Sequence, residues 1–155
     1  MENNIILRRM RYIFDWSDSE MIELFGLGGM EVNRSEVSNW LKKDDAEDFE
    51  KLHDIKLAVF LNGFITKRRG QREGPKPKPE KKLTNNLILR KIKIALNLKN
   101  EDVLDLLYAA DLRISPHELS AFFRKPGQRQ YRECKDQVIR NLLYGMKLLY
   151  KKNEN

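Results

Sequence analysis

Two short stretches of the chain carry apolar residues with the spacing of an amphipathic helix. They are Ser35–Lys43 and His117–Lys125. The apolar positions, at i, i+3 and i+4, are Val37, Trp40 and Leu41 in the first stretch and Leu119, Phe122 and Phe123 in the second. Polar and basic residues fill the opposite side. The pattern therefore predicts that one face of each short helix packs against the rest of the protein.

These stretches belong to a longer internal repeat. When the sequence is shifted by 82 residues, it aligns with itself without a gap from Asn3 to Lys67. The identical pairs include Asn3/Asn85, Asn4/Asn86, Ile6/Ile88, Arg8/Arg90, Leu24/Leu106, Glu36/Glu118, Asp54/Asp136, Leu61/Leu143 and Gly63/Gly145. An ungapped register of this length indicates the duplication of a domain of roughly 65 residues, near the lower size limit for a self-sufficient core.

The first two helices of each copy are predicted from start and stop signals. Helix 1 follows Asn3 or Asn85, which are favourable N-cap residues. In copy one, helix 2 begins with the capping-box sequence Ser17–Glu20 and ends at Gly28–Gly29, because paired glycines favour a turn. Copy two has no glycine at the equivalent point.

Helices 3 and 4 complete each copy. Helix 3 starts at Asn33–Glu36 and at Ser115–Glu118, which carry a capping residue followed three positions later by Glu. Helix 4 is predicted at about 54–67 and 136–151. Its apolar residues cover nearly the whole circumference, which is typical of a central, buried helix. The chain is therefore predicted to be all-α, with two tandem four-helix units.

A glycine lies inside each predicted helix 4, at Gly63 and Gly145. A glycine in a helix interior costs about 1 kcal/mol relative to alanine. Because both copies keep it, we expect a close approach of another helix there; the alternative is an inherited glycine that is merely tolerated. With Trp40 and Phe122, these glycines are the predicted residues of a helix-packing or partner-binding face.

The two copies are joined by a basic segment rich in Pro and Lys. We predict domains at residues 3–67 and 85–151, with a linker at 68–84 that favours extended backbone. The net charge is −3 for residues 3–67, +5 for residues 68–84 and +5 for residues 85–149, within a total of +7. The linker is expected to serve as a tether, or alternatively as an arm that touches nucleic acid.

Helices 2 and 3 of each copy resemble a helix-turn-helix pair, which suggests binding to nucleic acid. Three observations weaken this interpretation: the connection looks longer than the usual 3–4 residues, Asn39 becomes Ala121 in copy two, and copy one is acidic. If nucleic acid binds, copy two and the linker are the better candidates. The predicted contact residues are Arg124, Lys125, Arg129, Arg132, Lys76 and Lys78.

No residue set in the sequence predicts catalysis, a metal site or a cofactor. The paired Glu36 and Glu118 are explained by helix capping. His53 and His117 do not occupy equivalent positions and belong to no metal-ligand pattern. Cys134 is expected to be a small buried residue, although neighbouring cations would lower its pKa if it were exposed. We therefore expect a protein that is not an enzyme.

The sequence also bears on location. There is no basic region followed by an apolar one at the N-terminus, and no apolar run approaches the roughly 20 residues of a membrane span. The one cysteine excludes an internal disulfide framework. A reducing, cytoplasmic setting is the simplest interpretation.

Several segments resemble one known family. They are Asn85–Leu96, His117–Pro126, Tyr131–Gln137 and Phe60–Ile65. Together they resemble the YehS-like family of small bacterial proteins, which consist of two copies of a domain of unknown function (family number 1456) joined by a variable linker. The resemblance covers essentially the whole chain and implies a bacterial cytoplasmic protein. It implies no activity, substrate or cofactor.

The sequence thus favours a non-enzymatic protein-binding or adaptor module. Its partner would be another protein or a second copy, bound through apolar surface on helices 3 and 4. The alternative is a nucleic-acid-binding regulator that uses the second repeat and the linker.

Overall fold

The computed structural model describes residues 1–151, which form eight α-helices and no strand. The helices are α1 (Asn3–Phe14), α2 (Asp18–Leu27), α3 (Arg34–Leu41), α4 (Asp54–Arg69), α5 (Asn85–Ala95), α6 (Asn100–Ala109), α7 (Pro116–Phe122) and α8 (Asp136–Tyr150). This confirms the all-α prediction. None of the helices in this range is long and apolar enough to cross a membrane.

The chain forms two compact units of four helices each. Unit 1 runs from Met1 to Leu83 and contains α1–α4, and unit 2 starts at Thr84 and contains α5–α8. Residues 70–82 contain neither helix nor strand, and most of their side chains are exposed. Arg68 and Arg69, which the sequence analysis assigned to the linker, lie in the last turn of α4.

The helix starts follow the predicted capping signals with one exception. Reciprocal capping boxes form at Ser17/Glu20, Asn33/Glu36 and Ser115/Glu118. Asn3 and Asn85, however, are the first helical residues and not N-caps; Glu2 and Thr84 precede them. The Nδ2 groups of both Asn residues donate instead to groups before helix 4, so the N-cap prediction was wrong.

After helix 2, each copy has a residue with positive φ, and in copy two this residue is not glycine. In unit 1, Gly29 adopts φ = 101° just after α2. In unit 2 the equivalent residue is Asp111, which adopts φ = 63°. Aspartate tolerates the left-handed region better than most residues because its short polar side chain can hydrogen-bond locally.

Helix 4 is the buried helix in unit 1 but is less buried in unit 2. Every residue of α4 from Leu57 to Phe64 is buried. By contrast, α8 leaves Tyr144, Leu148 and Leu149 about half exposed. The prediction of a helix buried all round is therefore confirmed for α4 and wrong for α8, where apolar sequence also covers part of the surface.

The two mid-helix glycines lie at points of close helix approach. A Cβ atom added at Gly63 would overlap the carbonyl group of Leu24, and one added at Gly145 would overlap that of Leu106. Both contacts join helix 4 of a unit to helix 2 of the same unit. The close-approach prediction is confirmed, and the alternative of a merely tolerated glycine is wrong.

Candidate functional site

A groove lies between α6 and α8 in unit 2, beside the glycine contact. It encloses about 420 Å³, within the range of small-ligand pockets, and it is open to solvent. Gly145 and Leu106 lie where the two helices touch, which brings the helix backbones close together.

Leucines dominate the wall of the α6/α8 groove. Leu98 comes from the residues before α6, while Leu148 and Leu149 come from the last turns of α8. Leu148 is 54% exposed and Leu149 is 53% exposed. Two adjacent leucines that keep this much solvent contact are apolar surface that a partner would cover favourably.

The rim of the groove is acidic on the α6 side. Asp102 and Asp105 both line it. Asp102 Oδ2 also accepts a hydrogen bond from the backbone N–H of Lys99 at 2.8 Å. One carboxylate oxygen of Asp102 is therefore engaged in capping α6. Asp105 is exposed. Helix α6 carries Glu101 in addition and no Lys or Arg between Asn100 and Ala109.

The equivalent region of unit 1 is built differently. Lys67 stands at the position of Leu149, and its Nζ forms an ion pair with Glu23, the equivalent of Asp105, at 3.0 Å. Trp16 stands at the position of Leu98 and stacks on Phe14, with ring centroids 4.9 Å apart. The two units therefore share the helix crossing, whereas the surface beside it carries an ion pair in unit 1 and leucines beside two aspartates in unit 2.

A second shared feature is an asparagine that holds the loop between helices 3 and 4. In unit 2, Asn86 Nδ2 donates to the backbone carbonyls of Phe122 (3.0 Å) and Arg132 (2.8 Å). Its Oδ1 accepts from the N–H of Cys134 at 2.9 Å. Asn4 makes the same three bonds in unit 1, to Trp40, Glu50 and Leu52. The identity of Asn4 and Asn86 is visible in the sequence repeat, but their role is not predicted by it.

That loop in unit 2 carries the basic residues predicted to contact nucleic acid. The side chains of Arg124, Lys125, Arg129 and Arg132 are all exposed. Within residues 1–151, none of these four cations lies within 4.0 Å of a carboxylate. Their contact with nucleic acid stays a prediction.

The other predicted basic residues, Lys76 and Lys78, are also exposed and belong to the segment without helix or strand in unit 1.

The helix-turn-helix interpretation gains no specific geometric support. Residues 28–33 connect α2 to α3, and residues 110–115 connect α6 to α7. Both connections exceed the 3–4-residue turn of the usual motif. In unit 1, Lys42 is also paired with Asp48, which partly neutralises a residue that the motif would present to a groove of DNA.

Trp40 and Phe122 were predicted as residues of a packing or partner face. The structure places both in the core, where Trp40 is 1% exposed and Phe122 is 7% exposed. Trp40 packs against Phe25, with ring centroids 5.2 Å apart. Their role is therefore in packing. Helix 3 offers no large exposed apolar residue among those described. The exposed apolar surface predicted for helices 3 and 4 is found mainly on α8, and Ile55 is the exposed large apolar residue of α4.

Cys134 is buried, as predicted from the sequence. Burial is the main cause that raises the pKa of the Cys134 thiol to about 12, and the nearby carboxylates of Asp136 and Glu133 add to the effect. A thiol in this environment stays protonated near neutral pH and is a poor nucleophile. The alternative of an exposed, activated cysteine was wrong.

The fold and the groove define a small all-α protein built from a duplicated four-helix unit. The chain belongs to the family described as protein of unknown function (DUF1456), which matches residues 3–70 and 85–152. It is 38% identical over 147 residues to the uncharacterized protein YehS of Escherichia coli (strain K12), covering 94% of each chain. No solved structure gives a significant match.

Proposed function

We propose that the protein is a non-enzymatic protein-binding module of the bacterial cytoplasm, and that the α6/α8 groove of unit 2 receives an apolar segment of its partner. The observation that carries this proposal is the pair of half-exposed leucines, Leu148 and Leu149, beside an open groove. Covering apolar surface stabilises an interface by about 25 cal/mol for each Å² removed from water. Two leucines of this exposure are suited to the centre of a small interface.

The contrast with unit 1 supports the same proposal. The Glu23–Lys67 ion pair keeps the equivalent surface of unit 1 charged. Unit 2 has Leu149 at the position of Lys67, so this charge is absent there and an apolar side chain is half exposed. A half-exposed apolar residue contributes little to the stability of its own unit, so a role in binding explains it better.

Photo-crosslinking in living bacterial cells tests this proposal. A benzoylphenylalanine residue placed at Leu149 is expected to form discrete covalent adducts with a polypeptide. The matched control carries the same residue at Ile94 on α5, which is 46% exposed in the same unit. Adducts at position 149 that are absent at position 94 would support the groove as a binding site. Equal labelling at both positions, or none at position 149, would contradict it.

A nucleic-acid-binding regulator is the second candidate, and it is favoured by the four exposed cations of the α7–α8 loop. A titration with short duplex DNA and with RNA over a salt series tests it. Binding through these side chains requires that the logarithm of the affinity fall linearly with log salt, by about 0.9 for each phosphate contacted on duplex DNA. Replacing Arg124, Lys125, Arg129 and Arg132 with Ala should then flatten the slope. Absence of binding at low salt would exclude this candidate.

A further inference from the structure

The groove and the end of α8 have complementary chemistry, and this complementarity indicates which polypeptide segment the groove binds. The inference drawn here rests on the proposed function. The groove presents leucines next to the acidic side chains of α6, so its occupant should bring apolar side chains with cations beside them. The internal comparison indicates the same chemistry, because unit 1 places a lysine, Lys67, against the carboxylate equivalent to Asp105.

The last two turns of α8 carry this chemistry themselves. Leu148 and Leu149 lie between Lys147 and Lys151, so two leucines are flanked by lysines on both sides in sequence. Leu148 and Leu149 are exposed, and the Nζ of Lys147 lies 5.8 Å from the ring centroid of Tyr144, another exposed residue of α8. The segment that needs covering is thus also a segment that fits the groove.

A surface that carries both the groove and the segment that fits it can pair with itself about a two-fold axis. In such a dimer, the groove of each chain contacts the helix end of the other, so the same pairing occurs twice. The acidic residues of α6 in one chain then face the lysines of α8 in the other. The leucines of both chains meet in the middle, away from water.

We propose that the α6/α8 groove of one chain binds the last two turns of α8 of a second copy, forming a two-fold homodimer. The interface centres on Leu148 and Leu149, with Asp105 of each chain facing the lysines at the end of α8 of the other. The apolar contact centres on two leucines of each chain, so association in the micromolar range is expected, as is typical of weak and transient complexes.

Sedimentation equilibrium of the full-length protein over a range of concentrations tests the dimer. The wild type should show a monomer–dimer equilibrium. Leu149→Lys, which installs the unit 1 residue, should weaken it at least about tenfold, because a lysine charge buried in an apolar contact loses its hydration. The control Ile94→Lys introduces the same side chain at another exposed apolar site of unit 2 and should leave the dissociation constant unchanged. Circular dichroism verifies that both variants are folded.

A charge exchange provides a second measurement. Asp105→Lys should weaken the dimer, because it places like charges together across the interface. Adding Lys147→Glu and Lys151→Glu to Asp105→Lys restores opposite charges and should recover most of the lost affinity. Failure of the triple variant to recover would overturn the proposed pairing.

The outcomes separate this inference from the proposed function. A wild type that stays monomeric at high micromolar concentration overturns the homodimer. If Leu149 still crosslinks to a different polypeptide in cells, the groove remains a protein-binding site and only the identity of the occupant is wrong. A monomer that also gives no crosslink at position 149 overturns both proposals.

Discussion

At the scale of single residues, Asn4 and Asn86 have a structural role that their residue type does not reveal. Each lies in the first helix of its unit. The side-chain amides of Asn4 and Asn86 each hold three backbone groups that lie 36 to 48 residues further along the chain, one at the end of helix 3 and two in the loop that follows it. Backbone groups buried without partners are costly, and a loop has few partners of its own. One side chain therefore fixes the path of the loop between helices 3 and 4.

Removing this side chain should loosen the loop that contains Cys134. Asn86→Ala leaves three backbone groups without their partner, at about 1–3 kcal/mol for each that stays buried, so a loss of roughly 3 kcal/mol or more is expected. The buried thiol reports the opening directly, because it reacts only when exposed. The rate of Cys134 alkylation by a maleimide should rise roughly a hundredfold.

Asn141→Ala is the control for this measurement, since Asn141 makes one hydrogen bond, to the carbonyl of Ala110 at 2.9 Å in the same unit. It should raise the alkylation rate about tenfold or less. Equal alkylation rates for the two variants would show that the three hydrogen bonds of Asn86 stabilise the loop no more than the one bond of Asn141 does.

Asp54 connects pH to the stability of unit 1. Its burial by itself would raise the pKa, but hydrogen bonds from the backbone N–H of Leu83 (2.8 Å) and from Asn3 Nδ2 (2.7 Å) outweigh burial and lower it from 3.8. A lowered pKa in the folded state means that the charged form stabilises the fold. This contribution is present above the unfolded pKa and is lost as the pH falls through the folded value.

Asp54→Asn should therefore destabilise unit 1 by about 1 kcal/mol at pH 7, and this loss should diminish as the pH falls below 3.8. Urea unfolding followed by tryptophan fluorescence measures this, because Trp16 and Trp40 both lie in unit 1. Asp45→Asn, in an exposed loop, should change stability by less than about 0.5 kcal/mol at both pH 7 and pH 3. A loss that is the same at pH 7 and pH 3 would refute the role of the charge.

At the scale of helices, each unit is organised by the crossing of helix 2 and helix 4. The backbones touch at Gly63 and Gly145, and in unit 1 a second glycine, Gly28, meets the carbonyl of Val59. Such contact brings two helices closer than any side chain allows. It also determines where the outer side chains lie, and in unit 2 that geometry leaves the α6/α8 groove.

Gly63→Ala and Gly26→Ala should have opposite effects on unit 1. At Gly26 nothing lies within 4 Å of an added Cβ, so alanine should stabilise the helix by up to about 1 kcal/mol. At Gly63 the Cβ overlaps a backbone carbonyl, so a loss of about 1–3 kcal/mol or more is expected, and Gly145→Leu in unit 2 should be at least as damaging. Thermal unfolding measures all three. Unchanged melting of Gly63→Ala would contradict the close approach.

At the scale of the whole molecule, the chain consists of two units, each with its own core, and an exposed connecting segment. Unit 1 is rich in aromatic contacts, such as Phe25 with Phe60 at 5.1 Å, whereas the core of unit 2 is mainly aliphatic. Each unit is close to the smallest size that a single core supports. Residues 70–82 carry neither helix nor strand.

Limited trypsin digestion should therefore cut first within this segment. The sensitive sites are expected after Arg72 and Lys81, in exposed chain, and not after lysines that precede proline. Mass spectrometry identifies the fragments, and circular dichroism of the separated fragments should show that both keep most of their helix content. Early cuts inside α4 or α5 would contradict the assignment of 70–82 as the accessible segment.

The sequence by itself determined the duplication, the four helices of each unit, most of their start signals and the close contact at the two glycines. These features follow from local rules of spacing and capping, and from a register that repeats over the whole unit. The tertiary structure alone decided the rest. The roles of Asn4 and Asn86 depend on groups more than thirty residues away. The exposure of Leu148 and Leu149 depends on which side chains pack over them in the folded unit, and the sequence shows an apolar residue without showing whether it is buried or exposed.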